Sequence, residues 1–84
     1  MYYTYVLENT SGKIYIGQTN DLVARLIRHN SNRVKSTKNK GPWKIIFSQQ
    51  FNLRKESVNF EAYLKSLKNA EYIRRVLIQE NIGA

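Results

Sequence analysis

Five side chains in this sequence have the chemistry to move a proton or hold a phosphate: Tyr5, Tyr15, Arg25, His29 and Glu61. A tyrosine hydroxyl orients a water, passes a proton or holds a phosphate oxygen. Tyr5 and Tyr15 lie on neighbouring segments of an expected hairpin, so they can project from the same region of a sheet. The plainer role is packing, and with six tyrosines in 84 residues that accounts for most of them. Arg25 and His29 are four apart, hence on one side of a helix. A guanidinium grips a phosphate with two parallel hydrogen bonds, and an imidazole beside it trades a proton near neutral pH. A solvated basic helix face is the alternative. His29 is the only histidine, which excludes a multi-histidine metal cluster. Glu61 lies at the margin of an apolar helical stripe, where a carboxylate can hold a hard divalent ion such as Mg²⁺ together with waters and substrate phosphate. Its structural alternative is a pair with Lys65, one helical turn on.

Charge adds a partner. Fourteen Lys and Arg against six Asp and Glu give a formal net charge of +8. From Leu22 to Lys55 the chain has Arg25, Arg28, Arg33, Lys35, Lys38, Lys40, Lys44, Arg54 and Lys55, with no acid among them. One-signed charge on that scale costs self-repulsion, and a polyanion such as nucleic acid is the natural reason to carry it. The Lys35–Lys40 loop, with Ser36, Thr37 and Asn39 between its lysines, suits phosphate contacts without base readout, or else it is a solvated loop.

These groups need a scaffold, and the hydrophobic pattern supplies one. Tyr2 to Glu8 alternates with period two and reads as a strand, with Tyr3, Tyr5 and Leu7 on one face and Tyr2, Thr4 and Val6 on the other. Asn9 to Gly12 is a turn cluster, and Lys13 to Thr19 is a second strand, antiparallel to the first. Asn20 is the expected N-cap of a helix from Asp21 to Asn30, with Leu22 and Leu26 on its inner stripe. After a basic loop ending at Gly41 and Pro42, Trp43 to Phe51 reads as a third strand with Ile45 and Phe47 on one face. Asn52 is the expected cap of a second helix carrying Phe60, Tyr63, Leu64 and Leu67 inward. Asn69 caps a third, from Ala70 to Gln79. The order β-β-α-β-α-α predicts a small α+β domain around a mainly antiparallel three-stranded sheet.

Several classes of function drop out. The chain has no cysteine, so it has no disulfide framework, thiolate zinc site or cysteine nucleophile. No apolar run reaches the ~18 residues of a membrane span and no signal peptide follows Met1, which predicts a cytoplasmic protein without a membrane partner. There is no Gly-x-Gly-x-x-Gly or phosphate-binding P-loop. A second carboxylate for acid-pair hydrolysis is missing, because Glu8 and Asp21 stand in turn and cap contexts.

The order of these residues resembles one family. Tyr3-Thr4-Tyr5, Tyr15-Ile16-Gly17, Arg25 with His29, and Glu61 follow the pattern of the GIY-YIG nuclease domain. The stretch from Lys13 to Leu22, continuing to Arg25-Leu26 and His29-Asn30, carries most of the likeness. Ser36-Thr37-Lys38 through Pro42-Trp43 and Glu61 through Lys65 match its small single-domain branch. The resemblance runs from Tyr2 to about Leu77.

It implies a metal-dependent endonuclease that hydrolyses DNA phosphodiester bonds with Mg²⁺ or Mn²⁺. Tyr5 and Tyr15 would surround the attacking water, and Gly17 would allow close backbone packing. Arg25 would offset charge on the phosphate, His29 would relay a proton, and Glu61 would be the single metal carboxylate. A tyrosine serving as base would need its pKa lowered from about 10 by the metal and nearby cations. Asn69 is the candidate for a downstream asparagine found in some members. Relatives in DNA repair or mobile-element homing carry added DNA-recognition domains, and this length suggests none. DNA shape, a partner protein or a homodimer would then supply targeting. A non-catalytic nucleic-acid-binding module on the same fold is the alternative function.

Overall fold

The computed structural model describes residues 1–83, with side chains through Leu77. Its elements are β1 (Tyr2–Asn9), β2 (Ile14–Thr19), α1 (Leu22–Asn30), a single 3-10 turn (Lys35–Thr37), β3 (Trp43–Phe51), α2 (Arg54–Ser66) and α3 (Ala70–Gly83). The expected β-β-α-β-α-α order is present. β1 is the central strand of an antiparallel sheet ordered β2-β1-β3, so β2 and β3 are its edges.

Period-two alternation along β1 sends its side chains into two different cores. Val6, with Ile16 and Phe47, packs beneath Leu64 of α2 and Ile73 and Leu77 of α3. Thr4 is on the same side, where its hydroxyl donates to the Ser57 carbonyl at 2.7 Å and satisfies a fully buried polar group. Tyr5 and Leu7 point the other way, into a cluster with Trp43, Tyr15, Leu22, Leu26 and Ile45. The sheet is therefore a layer between α1 on one face and the α2–α3 pair on the other.

The alternation expected for β3 fails at one point. Pairing with β1 shifts register between Val6 and Leu7, so that Val6 faces Phe47 while Leu7 faces Ile45. The extra residue is a β-bulge, which turns successive side chains out of strict alternation. Ile45 consequently joins the Tyr5 cluster and Phe47 the Val6 cluster, rather than sharing a face.

Two helix starts also differ from expectation. α1 is capped by Asp21, not Asn20: its backbone is extended (φ −146°, ψ 95°) and its carboxylate accepts from the Ala24 amide at 3.0 Å. Asn52 does not cap α2. Leu53 occupies that position, and its amide donates to the Glu56 carboxylate at 3.1 Å, so the acid three residues along supplies what the cap side chain lacks. Asn69 does cap α3, accepting from the Tyr72 amide at 2.9 Å.

Long-range polar contacts tie the loops to this frame. The Asn9 side chain accepts from the Ser11 and Lys13 amides and donates to the Lys40 carbonyl, joining the hairpin turn to the end of the basic loop. Asn30 brackets Trp43, accepting from its amide at 2.7 Å and donating to its carbonyl at 3.1 Å. Arg74 of α3 meets Glu8 at 2.6 Å and the Gly12 carbonyl at 2.7 Å. Because only Asp21 caps α1, Asp21→Ala should cost about 1 kcal/mol in urea unfolding, while Asn20→Ala should stay within about 0.5 kcal/mol.

Candidate active site

Tyr5, Tyr15 and Gly17 stand on the β1–β2 pair with Tyr5 directly opposite Gly17. α1 lies over that face and presents Arg25 and His29 from successive turns. The result is a hydrogen-bonded chain. Arg25 Nε donates to the Tyr5 hydroxyl oxygen at 3.3 Å, and that hydroxyl meets His29 Nε2 at 2.9 Å. His29 Nδ1 meets the Thr37 hydroxyl at 2.8 Å, and Thr37 in turn donates to the Val34 carbonyl at 3.4 Å.

One assignment of protons satisfies every member. With the Thr37 proton on Val34, His29 donates from Nδ1 to Thr37, and Nε2 is left as an acceptor. Tyr5 then donates to His29 and uses its oxygen to accept from Arg25. The arrangement requires a neutral imidazole, and the surroundings enforce one. Burial, with the Arg25 and Arg28 charges adding to it, lowers the His29 pKa to about 4. His29 is fully buried, and no buried side-chain nitrogen or oxygen among the described residues lacks a partner.

The two tyrosines differ in position. Tyr5 is only 1% exposed, and burial raises its pKa, with the Arg25 hydrogen bond opposing and the Tyr15 and Glu61 charges adding to the rise. The lowering expected for a basic tyrosine is therefore not found at Tyr5: desolvation outweighs the cation beside it. Tyr15 is half-buried, with its ring 4.7 Å from that of His29 and 6.2 Å from that of Tyr5. It is the tyrosine with a route to solvent. The Tyr5 hydrogen bond raises the pKa of Arg25, against the desolvation there, and the Tyr15 phenol adds to the rise.

Glu61 comes from the opposite side of the sheet, on α2, which packs against β1 and β2. Its carboxylate pairs with Lys65 at 2.8 Å, one turn along the helix, yet the side chain is only 19% exposed. It is near enough to raise the Tyr5 pKa. Among the described residues no three His, Cys, Asp or Glu side chains gather into a metal-binding group. The donors fit a hard divalent ion held by one carboxylate, with waters and substrate phosphate as its other ligands.

The basic residues distribute unevenly. Arg28, Arg33, Lys35, Lys38 and Lys40 are exposed on α1 and the loop after it, while Lys44 lies on β3, the edge farthest from Tyr15, opposite Glu8. The structure brings Tyr5, Tyr15, Arg25 and His29 together and leaves Lys44 apart. Two contributors escaped the sequence. Thr37 was legible only as part of a basic loop and of the Ser36-Thr37-Lys38 match, yet it is buried and holds His29 from behind. Arg54 shares one hollow with Arg25, and only its place in the charge block was legible.

The profile of the GIY-YIG catalytic domain matches residues 1–74. The chain belongs to the GIY-YIG family. A UPF0213 protein of Streptococcus pneumoniae is 41% identical over 70 residues, 82% of this chain and 71% of that protein. One from Oceanobacillus iheyensis is 29% identical over 80 residues, covering 94% of this chain and 93% of its own length. The solution NMR structure of a UPF0213 protein from Bacillus halodurans shares the fold, with a TM-score of 0.56 at 29% identity over 90% of this chain and 83% of that one.

The structure gives the two GIY-YIG motif segments a common physical basis. They are the paired strands β1 and β2, and the last residue of Tyr3-Thr4-Tyr5 faces the last of Tyr15-Ile16-Gly17. The Tyr5 ring lies across Gly17: a Cβ there would sit 2.5 Å from the Tyr5 hydroxyl oxygen and 2.7 Å from Cζ. Glycine is needed for that close approach, not for an unusual backbone angle. Gly17→Ala should therefore displace the ring, costing about 1–3 kcal/mol in denaturant unfolding.

The His29 environment predicts a pH dependence of stability. Its folded pKa lies below the ordinary value of 6.5, so between pH 6.5 and about 4 the unfolded chain binds a proton that the folded chain refuses. This contribution is complete above pH 6.5, falls as the pH drops to about 4, and changes no further below that. The loss over that range is expected to be on the order of 2–3 kcal/mol in urea unfolding, and His29→Gln should lack this component.

Proposed function

We propose that this protein is a divalent-metal-dependent DNA endonuclease that hydrolyses phosphodiester bonds, selecting substrates by structure or with weak sequence preference. The observation that carries this reading is the buried chain from Arg25 through Tyr5 to His29, with the Glu61 carboxylate near enough to act on Tyr5. Membership of a family built on a nuclease domain supports it, as does the basic surface of α1 and its following loop.

The Arg25 guanidinium spends Nε on Tyr5, which leaves its terminal N–H groups for a phosphate oxygen. Tyr5 and His29 are positioning residues in this scheme. They hold Arg25 at a set angle before substrate arrives, and a preorganised cation is worth most where charge grows during reaction. Tyr15, the tyrosine with access to solvent, orients the attacking water and, having passed its own proton to solvent, accepts the proton of that water. As the water oxygen bonds to phosphorus, one P–O ester bond opens and the departing oxygen takes a proton from solvent. Glu61 would hold Mg²⁺ or Mn²⁺, which would supply polarisation of the phosphate and a more acidic bound water. Arg28, Arg33, Lys35, Lys38 and Lys40 supply phosphate contacts outside the reacting centre, and DNA repair or recombination is the proposed setting.

The purified protein should nick supercoiled plasmid or branched DNA with Mg²⁺ or Mn²⁺ and stop on addition of chelator. Arg25→Ala should lower the cleavage rate by about 10²-fold or more, the scale of losing one preorganised charge contact. Glu61→Ala should abolish cutting while DNA binding persists. A protein that binds every DNA tested and cuts none would be a binding module on the nuclease fold, with the Glu61–Lys65 pair a structural contact only.

A further inference from the structure

As an edge strand, β2 has its outer side open, and two hollows lie along it. One, of about 360 Å³, is walled by Tyr2, Gln18, Thr19, Asn20, Arg25 and Arg54. The other, of about 350 Å³, takes Tyr15 and Ile16 from β2 and Lys65, Lys68 and Asn69 from beyond it. Gly17, the position covered by the Tyr5 ring, stands between their β2 residues along the strand. Each hollow thus contains part of the catalytic group, Arg25 in one and Tyr15 in the other. Each also contains a cation with no place in the chemistry: Arg54 at the first residue of α2, and Lys68 just past its last. Thirteen helical residues set those two cations about 20 Å apart along the helix axis.

The backbone at Lys68 is the second observation. Among the described residues, three other than glycine adopt left-handed φ: Asn32 (61°), Asn39 (62°) and Lys68 (54°). Asparagine enters that region at small cost, and the Asn32 side chain also accepts from the Asn39 amide at 2.9 Å. Lysine has no such compensation, and glycine is the residue that helix ends of this kind favour. Retaining lysine costs stability, and what it brings is an exposed cation on the wall of the hollow that Tyr15 enters.

We propose that one strand of the substrate DNA runs along the outer edge of β2, its phosphates on either side of the cleaved bond held by Arg54 and by Lys68. Lys68 keeps a strained backbone for that contact. The inference rests on the phosphodiesterase reading, and it makes α2 a bracket that carries Glu61 between two phosphate grips.

The test is fluorescence anisotropy with a labelled DNA hairpin across a salt series, with Ca²⁺ replacing Mg²⁺ to keep the substrate uncut, beside thermal unfolding. Arg54→Ala and Lys68→Gly should each weaken binding about 3–10-fold and flatten the slope of log affinity against log salt by about 1. Lys68→Gly should at the same time raise Tm by about 3–6 °C, and Lys68→Arg should bind as the wild type does. A Lys68→Gly protein that gains stability but keeps wild-type affinity overturns the proposal, as does unchanged binding by Arg54→Ala. If the wild type binds DNA yet never nicks it, the nuclease reading falls and the binding series still decides the strand path. A wild type that binds no DNA overturns both.

Discussion

A polar group taken out of water must find its partners inside the protein, and in this domain that requirement organises everything around Tyr5. The Tyr5 hydroxyl lies under α1 with almost no solvent contact. To accept from Arg25 and donate to His29, it needs α1 at a set height and rotation over the sheet. His29 in turn needs Thr37, which needs the basic loop to close over the C-terminal end of α1. Asn30 and Asn9 hold the far end of that loop through Trp43 and Lys40. A chain of single hydrogen bonds thus sets the angle of one guanidinium. Gly17 is part of the same constraint, since only the missing Cβ lets the Tyr5 ring lie where the chain begins.

The electrostatics follow from that burial. An imidazole away from water, with the Arg25 and Arg28 charges adding to the effect, is held neutral, so it can accept a hydrogen bond from a phenol. The same desolvation works against ionising Tyr5, whose pKa rises although it touches a guanidinium. Two tyrosines that look equivalent in the sequence are thereby separated. Tyr5 belongs to the scaffold of the site, and Tyr15 faces its opening. Cations that repel one another in the folded domain lie on α1, its following loop and the two ends of α2, where a polyanion would relieve the repulsion.

Much of this was legible because it depends on local pattern. The alternation along Tyr2 to Glu8, the turn residues from Asn9 to Gly12 and the Leu22–Leu26 stripe reflect periodicities that hold within a few residues. The misplaced features depend on competition between near-equivalent neighbours or on distant partners. Asn20 and Asp21 are both good caps, and the choice fell to Asp21, whose carboxylate reaches the Ala24 amide. The bulge in β3 follows from its register against β1, set some forty residues away in sequence. Thr37 is an ordinary threonine until His29 is placed over it.

By itself the sequence determined the order and kind of the elements, the excess of positive charge and which five side chains have chemistry to offer. Those properties reside in single residues and in short repeats, which the chain carries before it folds. Tertiary structure alone decided which tyrosine is buried, that His29 is neutral, that Glu61 is paired yet mostly covered, and that Arg54 shares a hollow with Arg25 and Lys68 one with Tyr15. The physical reason is that solvent exposure and hydrogen-bond partnership belong to the packed assembly. A hydroxyl, an imidazole or an ammonium acquires its working properties only when another part of the chain covers it or leaves it open.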